Sequence, residues 1–377
     1  VMTRLSIFGG KSRARRAAHG SQQSENHSPS SKSGFRGDVA GLRAVAVVLV
    51  LLAHAGVAGF GNGFVGVDVF FVISGYLITG LLVKEYGRNA GGVGQYGWVS
   101  IRGFYVRRAR RILPASTLVL VVTSVVAFFS LNVIRFEQIK SDALWALFFS
   151  ANVHFMNQAT DYFQQGLAQS PVQHYWSLAV EEQFYFVWPL FLLAAASLHG
   201  LTVRKRRLDW RGRIHVAFVV LTVASFLLLL LVFHRAPTVA YFSSTARAWE
   251  LGLGGLVAVN QQRITQWIGQ RLNIVSLIAV IMLGVSLVVV TPTNFGYGLI
   301  LPVVATAVLL GAGASQEPTV VSWVLSLRVM QGIGAISYSL YLWHWPVLIL
   351  GRELGYVDSN VSTAVALAVS VVLAVLS

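Results

Sequence analysis

Arg36-Gly-Asp-Val-Ala-Gly-Leu-Arg43-Ala-Val-Ala-Val-Val-Leu-Val-Leu-Leu-Ala-His54 is the stretch that decides the fold. From Val39 to Phe60 the residues are almost wholly apolar. A helix of that length crosses the roughly 30 Å hydrocarbon layer of a bilayer. Two ionisable residues interrupt it. At about 100° per residue, the step from Arg43 to His54 is three turns plus about 20°, so both side chains fall on one helix face, about 16 Å apart along the axis. A cation in a spanning helix costs about 3 kcal/mol, so such residues mark functional sites by default. The plainer alternative is a histidine bonded to a neighbouring helix for packing.

The same hydropathy recurs along the chain. Candidate spans are 39–60, 64–83, 112–131, 175–198, 215–233, 241–259, 273–290, 297–314, 330–350 and 361–377. The 377 residues are 55% hydrophobic and only 11% charged, which excludes an ordinary soluble domain. The fold class is therefore all-α, a polytopic transmembrane helix bundle of about ten spans. No alternating pattern of a membrane β-barrel is present. The net charge is +15. Its cations sit mostly between apolar runs, so topology and anionic lipid account for it, and no nucleic-acid partner is expected. There are no cysteines, so disulfide and thiol chemistry are excluded.

Residues 1–34 are polar and basic and read as a disordered cytoplasmic tail, leaving 35–377 as the transmembrane domain. The apolar run comes too late and is too long for a signal peptide. Basic loops follow the second span (Lys84, Arg88, Arg102, Arg107, Arg108, Arg110, Arg111) and the fourth (Arg204, Lys205, Arg206, Arg207, Arg211, Arg213). Both fall on the side of the tail, and the positive-inside rule makes that side cytoplasmic. The segment from Asn132 to Gln173 is then external, with a helix expected around Ser141 to Phe155. The chain stops within the apolar run Val361 to Ser377, so further residues are expected beyond it.

Four constellations could carry chemistry. Beside Arg43 and His54 stands Gly61-Asn-Gly-Phe-Val-Gly-Val-Asp68-Val-Phe-Phe-Val-Ile-Ser74-Gly-Tyr-Leu-Ile-Thr79. Its Gly-rich turn makes the first two spans antiparallel neighbours, and Asp68 could orient or charge-balance His54 or a substrate hydroxyl. An interfacial Asp after a turn is the other reading. Arg107, Arg108, Arg110 and Arg111 form a cation stripe at helical spacing, either a topology signal or a clamp for a phosphate-bearing donor, since Arg offers bidentate phosphate geometry. In Trp176-Ser177-Leu-Ala-Val-Glu181-Glu182-Gln-Phe-Tyr185, Ser177 could be an N-cap with acids favoured by the helix dipole. Adjacent acids point about 100° apart, so at least one is expected to face a polar cavity open to the exterior. Arg247 and Glu250 are spaced for an in-helix ion pair, and the block Ser337 to Pro346 suggests an interfacial aromatic belt. His54, His174 and His344 are too scattered in sequence to claim a metal site.

Taken together and in order, these blocks resemble the acyltransferase 3 family of bacterial integral-membrane acyltransferases, over about Phe35 to Trp345. The resemblance implies transfer of an acyl group, often acetyl, from cytoplasmic acyl-CoA to a hydroxyl of a cell-envelope glycan or glycolipid; no metal is expected, since no metal cluster is apparent in the sequence. It implies His54 as the catalytic histidine, with Arg43 and the Arg107–Arg111 block as functional positions. In the working assignment, Arg36, Arg43, Arg107, Arg108, Arg110 and Arg111 hold acetyl-CoA. Asp68, Glu181 and Glu182 assist His54, and Trp176, Ser177 and Tyr185 contact substrate. Some members of the family carry a further SGNH hydrolase-like domain after the last span. The implied site is the bacterial plasma membrane; the oligomeric state is left open. The rival reading is a transporter or flippase for a lipid-linked sugar, which would use the same buried charges as a path.

Overall fold

The structure, a computed structural model, describes residues 35–90, 97–158, 169–198, 202–203, 206–315 and 317–377. The tail 1–34 lies outside the described residues. Among the described residues of the unit Arg36–Ser377, the regular structure is helical apart from two paired two-residue strands, β1 (Thr202–Val203) and β2 (Arg206–Arg207). Before them come α1 (Gly37–His54), α2 (Val65–Asn89), α3 (Ile101–Ser130), α4 (Val133–Leu147), α5 (Ala151–Asn157) and α6 (Tyr175–Ser197). After them come α7 (Trp210–Phe233), α8 (Pro237–Phe242), α9 (Ser244–Ile268), α10 (Leu272–Val289), α11 (Phe295–Gly298) and α12 (Ile300–Ala312). Next are α13 (Val320–Leu325), α14 (Arg328–Glu353) and α15 (Asn360–Leu376).

Among the described residues, eight helical runs are long and apolar enough to cross a membrane. One of them, Ser244–Val289, joins α9 and α10 through a turn at Gly269, whose φ of 52° breaks the helix. The shorter apolar helix Asn360–Leu376 adds to these. Every candidate span coincides with a helix, but several edges differ: the first ends at His54 rather than near 60, and the sixth runs on to Ile268 rather than 259. The second span runs on to Asn89, and the third begins at Ile101 rather than near 112. The arginine block therefore lies on three extra turns of α3 instead of in a loop. Ser100 caps that helix by accepting from the Gly103 amide at 3.3 Å. The external helix expected around Ser141 to Phe155 is two helices, α4 and α5, broken where Phe149 takes a φ of 51°.

Burial orders the bundle. The apolar window of α2 is 78% buried, against 22% for α7, so α2 is the central post and α7 lies at the rim. Close approach makes this possible. A Cβ on Gly75 would lie 1.9 Å from the Leu251 carbonyl oxygen, and one on Gly254 would lie 2.0 Å from that of Val72. Glycines facing in both directions thus let the α2 and α9 backbones touch, the usual device of membrane helix pairs.

Two expected site residues are taken up by this framework. Asp68 is fully buried and pairs with Arg247 of α9, not with His54. Arg247 also meets Glu250 at 2.9 Å, the in-helix pair expected from the spacing. The Phe71, Trp176 and Tyr241 rings enclose the guanidinium at 5.5, 5.8 and 5.6 Å. Arg36 likewise turns away from the cavity described below. It pairs with Asp38 and donates to the Tyr76 hydroxyl at 2.7 Å and the Leu310 carbonyl at 3.1 Å. Arg36 therefore ties α1 to α2 and α12.

Candidate active site

A cavity of about 700 Å³ opens between α1, α2, α3, α6 and α14. Its mouth lies at the arginine-rich end of α3, where Lys84, Glu85, Arg88 and Arg107 line it. Arg43, Arg108 and Arg111 share the lining with Ser74, Glu181, Glu182 and Tyr185. The inner wall carries Ser177, Ser337, Tyr338 and Tyr341.

Helical spacing explains the membership. Arg111 stands four residues after Arg107 and three after Arg108, so the three fall within an arc of about 100° on one face of α3. Arg110 points off that face, is exposed and does not line the cavity. On α6, Glu181 and Tyr185 are one turn apart and bonded to each other: the Tyr185 hydroxyl and the Ser74 hydroxyl both donate to Glu181 Oε1. The Arg108 guanidinium lies 3.8 Å above the Tyr185 ring, a cation–π contact. Six cations and three carboxylates line the space. Among the described residues only Arg107 of those six has a carboxylate partner, Glu85 at 3.7 Å. The lining therefore keeps an excess of positive charge. Within the wall, Glu182 Oε1 is buried without a hydrogen-bond partner.

Both acids thus share the cavity of the arginines, and they do not open toward the opposite face as expected. Ser177 is not an N-cap either. Helix α6 starts at Tyr175, and the Ser177 hydroxyl donates back to the His174 carbonyl at 3.2 Å while meeting the Tyr341 hydroxyl at 2.6 Å. Trp176 turns the other way, fully buried against Phe71, Tyr241 and Phe242, so it contacts nothing that enters the cavity.

Arg43 and His54 share a helix face, but only Arg43 lines the cavity. His54 ends α1 at the opposite face, half-buried. Its Nδ1 lies 2.9 Å from Nε2 of His344, its ring packs 4.3 Å from that of Trp345, and its carbonyl accepts from Arg352 at 2.9 Å. The His344 ring is 5.7 Å from that of His174 and 5.5 Å from that of Tyr341, and Tyr341 closes the inner wall. The three histidines that look scattered in sequence are therefore neighbours. They do not converge on a point: among the described residues no group of three or more His, Cys, Asp or Glu side chains is placed to hold a metal ion.

Sequence reasoning missed Ser74, Tyr338, Tyr341 and His344 as parts of this region. The signal was present on α14. Ser337, Tyr341 and His344 recur at i, i+4 and i+7 in an apolar helix, the period of one inward face. The expected interfacial belt is instead interior, since Trp343 and Trp345 are buried and Trp345 donates to the Ser170 carbonyl at 2.9 Å.

A many-helix membrane bundle with a cation-lined cavity and a histidine pair beyond its inner wall defines the class. The acyltransferase domain matches residues 36–377, and the chain belongs to the acyltransferase 3 family. It is 31% identical over 330 residues to a Bacillus subtilis protein named "Putative peptidoglycan O-acetyltransferase YrhL", covering 84% of this chain and 49% of that one. It is 30% identical over 320 residues to the peptidoglycan O-acetyltransferase OatA of Listeria monocytogenes, covering 82% of this chain and 49% of that one. The chain spans about half the length of the curated relatives it matches. No solved structure matches it.

Proposed function

We propose that this chain is a plasma-membrane O-acyltransferase that moves an acetyl group from cytoplasmic acetyl-CoA to a hydroxyl of an envelope glycan, with peptidoglycan the first candidate acceptor. The observation that carries this reading is the unbalanced positive lining of the cavity. A polyanionic donor supplies the counter-charge that the protein withholds. Arg107, Arg108 and Arg111 suit its phosphates, because the guanidinium fork matches phosphate oxygens in pairs. Arg43, one level deeper, suits the thioester end.

His54 is the general base in this reading. It accepts the proton of the acceptor hydroxyl as that oxygen bonds to the acyl carbon. The carbon–sulfur bond breaks, and the thiolate leaves with the electron pair and receives the proton. Imidazole suits the task because its ordinary pKa lies near neutrality. The Ser177–Tyr341 contact stands between cavity and histidine pair, so it must part for the acyl carbon to reach an acceptor at His54. Glu181, Glu182 and Tyr185 then act on the donor side. Asp68, Trp176, Arg36 and Arg110 have no part in the reaction.

The test is full-length protein in proteoliposomes with radiolabelled acetyl-CoA and peptidoglycan fragments. The expected result is label in acceptor ester, abolished by His54→Ala. A carrier for lipid-linked sugar would leave acetyl-CoA intact, and that outcome would sink the proposal.

A further inference from the structure

His344 is fully buried on α14 and, among the described residues, has no carboxylate partner. The groups facing it are His54 of α1, His174 beside α6, and Tyr341, Trp345 and the Leu340 carbonyl of its own helix. Arg352 bonds the His54 carbonyl on this face. A second proton on His344 would place an unpaired charge in that setting, which is costly. The ring is therefore neutral and carries one N–H.

Its location follows from the partners. His344 Nδ1 lies 3.2 Å from the Leu340 carbonyl oxygen, and a carbonyl only accepts. The proton is thus on Nδ1, and Nε2 holds a lone pair. Nε2 is the atom 2.9 Å from His54 Nδ1, so His54 must donate there. The geometry suits a hydrogen bond in the ring planes: the planes are 4° apart with centroids 5.2 Å apart, whereas rings packed face to face close to about 3.5–4 Å. His54 Nδ1 therefore bears the hydrogen, and its Nε2 bears the lone pair.

We propose that His344 is the positioning residue of His54, fixing its tautomer so that Nε2 is the basic nitrogen and sharing the positive charge once that nitrogen takes a proton. This rests on the reading of His54 as the general base. The arrangement does with two neutral imidazoles what a carboxylate does behind the histidine of a hydrolytic triad, where the wrong tautomer is severely damaging.

The test uses the full chain in detergent with nitrogen-15-labelled histidine, and the His54 signals assigned by their loss in His54→Gln. Wild type is expected to show a protonated Nδ1 and an unprotonated Nε2 for His54. In His344→Leu the His54 proton is expected to move to Nε2, with kcat falling about 100-fold or more and KM for acetyl-CoA unchanged. His344→Gln presents an amide oxygen to His54 Nδ1 and is expected to recover at least a tenth of wild-type kcat. A merely structural role would move neither tautomer nor the KM-against-kcat split in this way. An Nε2–H signal for His54 in wild type overturns the proposal, whatever the kinetics of the His344 variants. Wild-type kcat in His344→Leu, with His54→Ala inactive, overturns His344 alone. Full activity in His54→Ala overturns the base assignment and, with it, the part given to His344.

Discussion

At the scale of the residue, four arginines that look alike in sequence divide by helix face. Arg107, Arg108 and Arg111 line the cavity and Arg110 does not. A charge-assisted hydrogen bond is worth about 1.5–3 kcal/mol, which is roughly 10- to 100-fold in an equilibrium constant. Arg108→Ala and Arg111→Ala are therefore each expected to raise KM for acetyl-CoA at least about 10-fold. Arg110→Ala should stay within about two-fold of wild type. Steady-state kinetics on the three proteins checks this, and an Arg110 effect as large as the others would remove the cavity from the donor site. Arg247 poses a different question, because it is spent on structure. Its guanidinium stands between Asp68 and Glu250 in a fully buried setting. Removing one partner of a buried ionic group costs about 3–5 kcal/mol, since the remaining charges lose their counter-ion. Arg247→Ala is expected to lower the thermal unfolding midpoint sharply, whereas the triple exchange Asp68→Asn, Arg247→Gln and Glu250→Gln, which removes all three charges, should lose much less. Equal losses in the two proteins would show that bulk, not charge, matters there.

At the scale of the element, the contact of α2 with α9 depends on Gly75 and Gly254. The Cβ of an alanine at Gly75 would fall 1.9 Å from the Leu251 carbonyl oxygen, so the backbones must separate. Gly75→Ala is expected to cost about 1–3 kcal/mol as an overpacking change, read as a lower unfolding temperature in detergent. Gly284→Ala on α10, where the added Cβ meets nothing within 4 Å, is the control. The helices themselves were legible in the sequence because a bilayer demands about twenty apolar residues and leaves few alternatives. The extra turns of α3 were not. Arg102 and Arg107 look like loop residues to a hydropathy reading, because charged turns of a helix outside the apolar window carry no hydropathy signal. Site membership was partly legible. Arg43, Glu181, Glu182 and Tyr185 come together in one cavity, as polar residues in apolar segments tend to do. Asp68 and Trp176 stood in equally suggestive motifs and were taken into the core, because their partners Arg247 and Tyr241 lie far along the chain. The pairing of His54 with His344 spans 290 residues, a separation that no local pattern encodes.

At the scale of the whole molecule, the argument turns on which end faces which compartment. The cavity mouth and the free cations lie at one end, and the His54–His344 pair lies at the other. If the donor is a cytoplasmic thioester and the acceptor an envelope glycan, the mouth must face inward and the histidine pair outward. The positive-inside bias of the cations gives the same orientation. The chain contains no cysteine, so single cysteines can report orientation without prior removal of native thiols. Gln270 lies in the exposed turn between α9 and α10, at the same end as Arg36, and Asp358 lies in the exposed turn between α14 and α15, at the end of His54. On intact cells a membrane-impermeant maleimide is expected to label Asp358→Cys and to spare Gln270→Cys until the membrane is permeabilised. The opposite pattern would turn the cavity toward the outside, where no acyl-CoA is available. The donor assignment would then fail even if His54 proved essential.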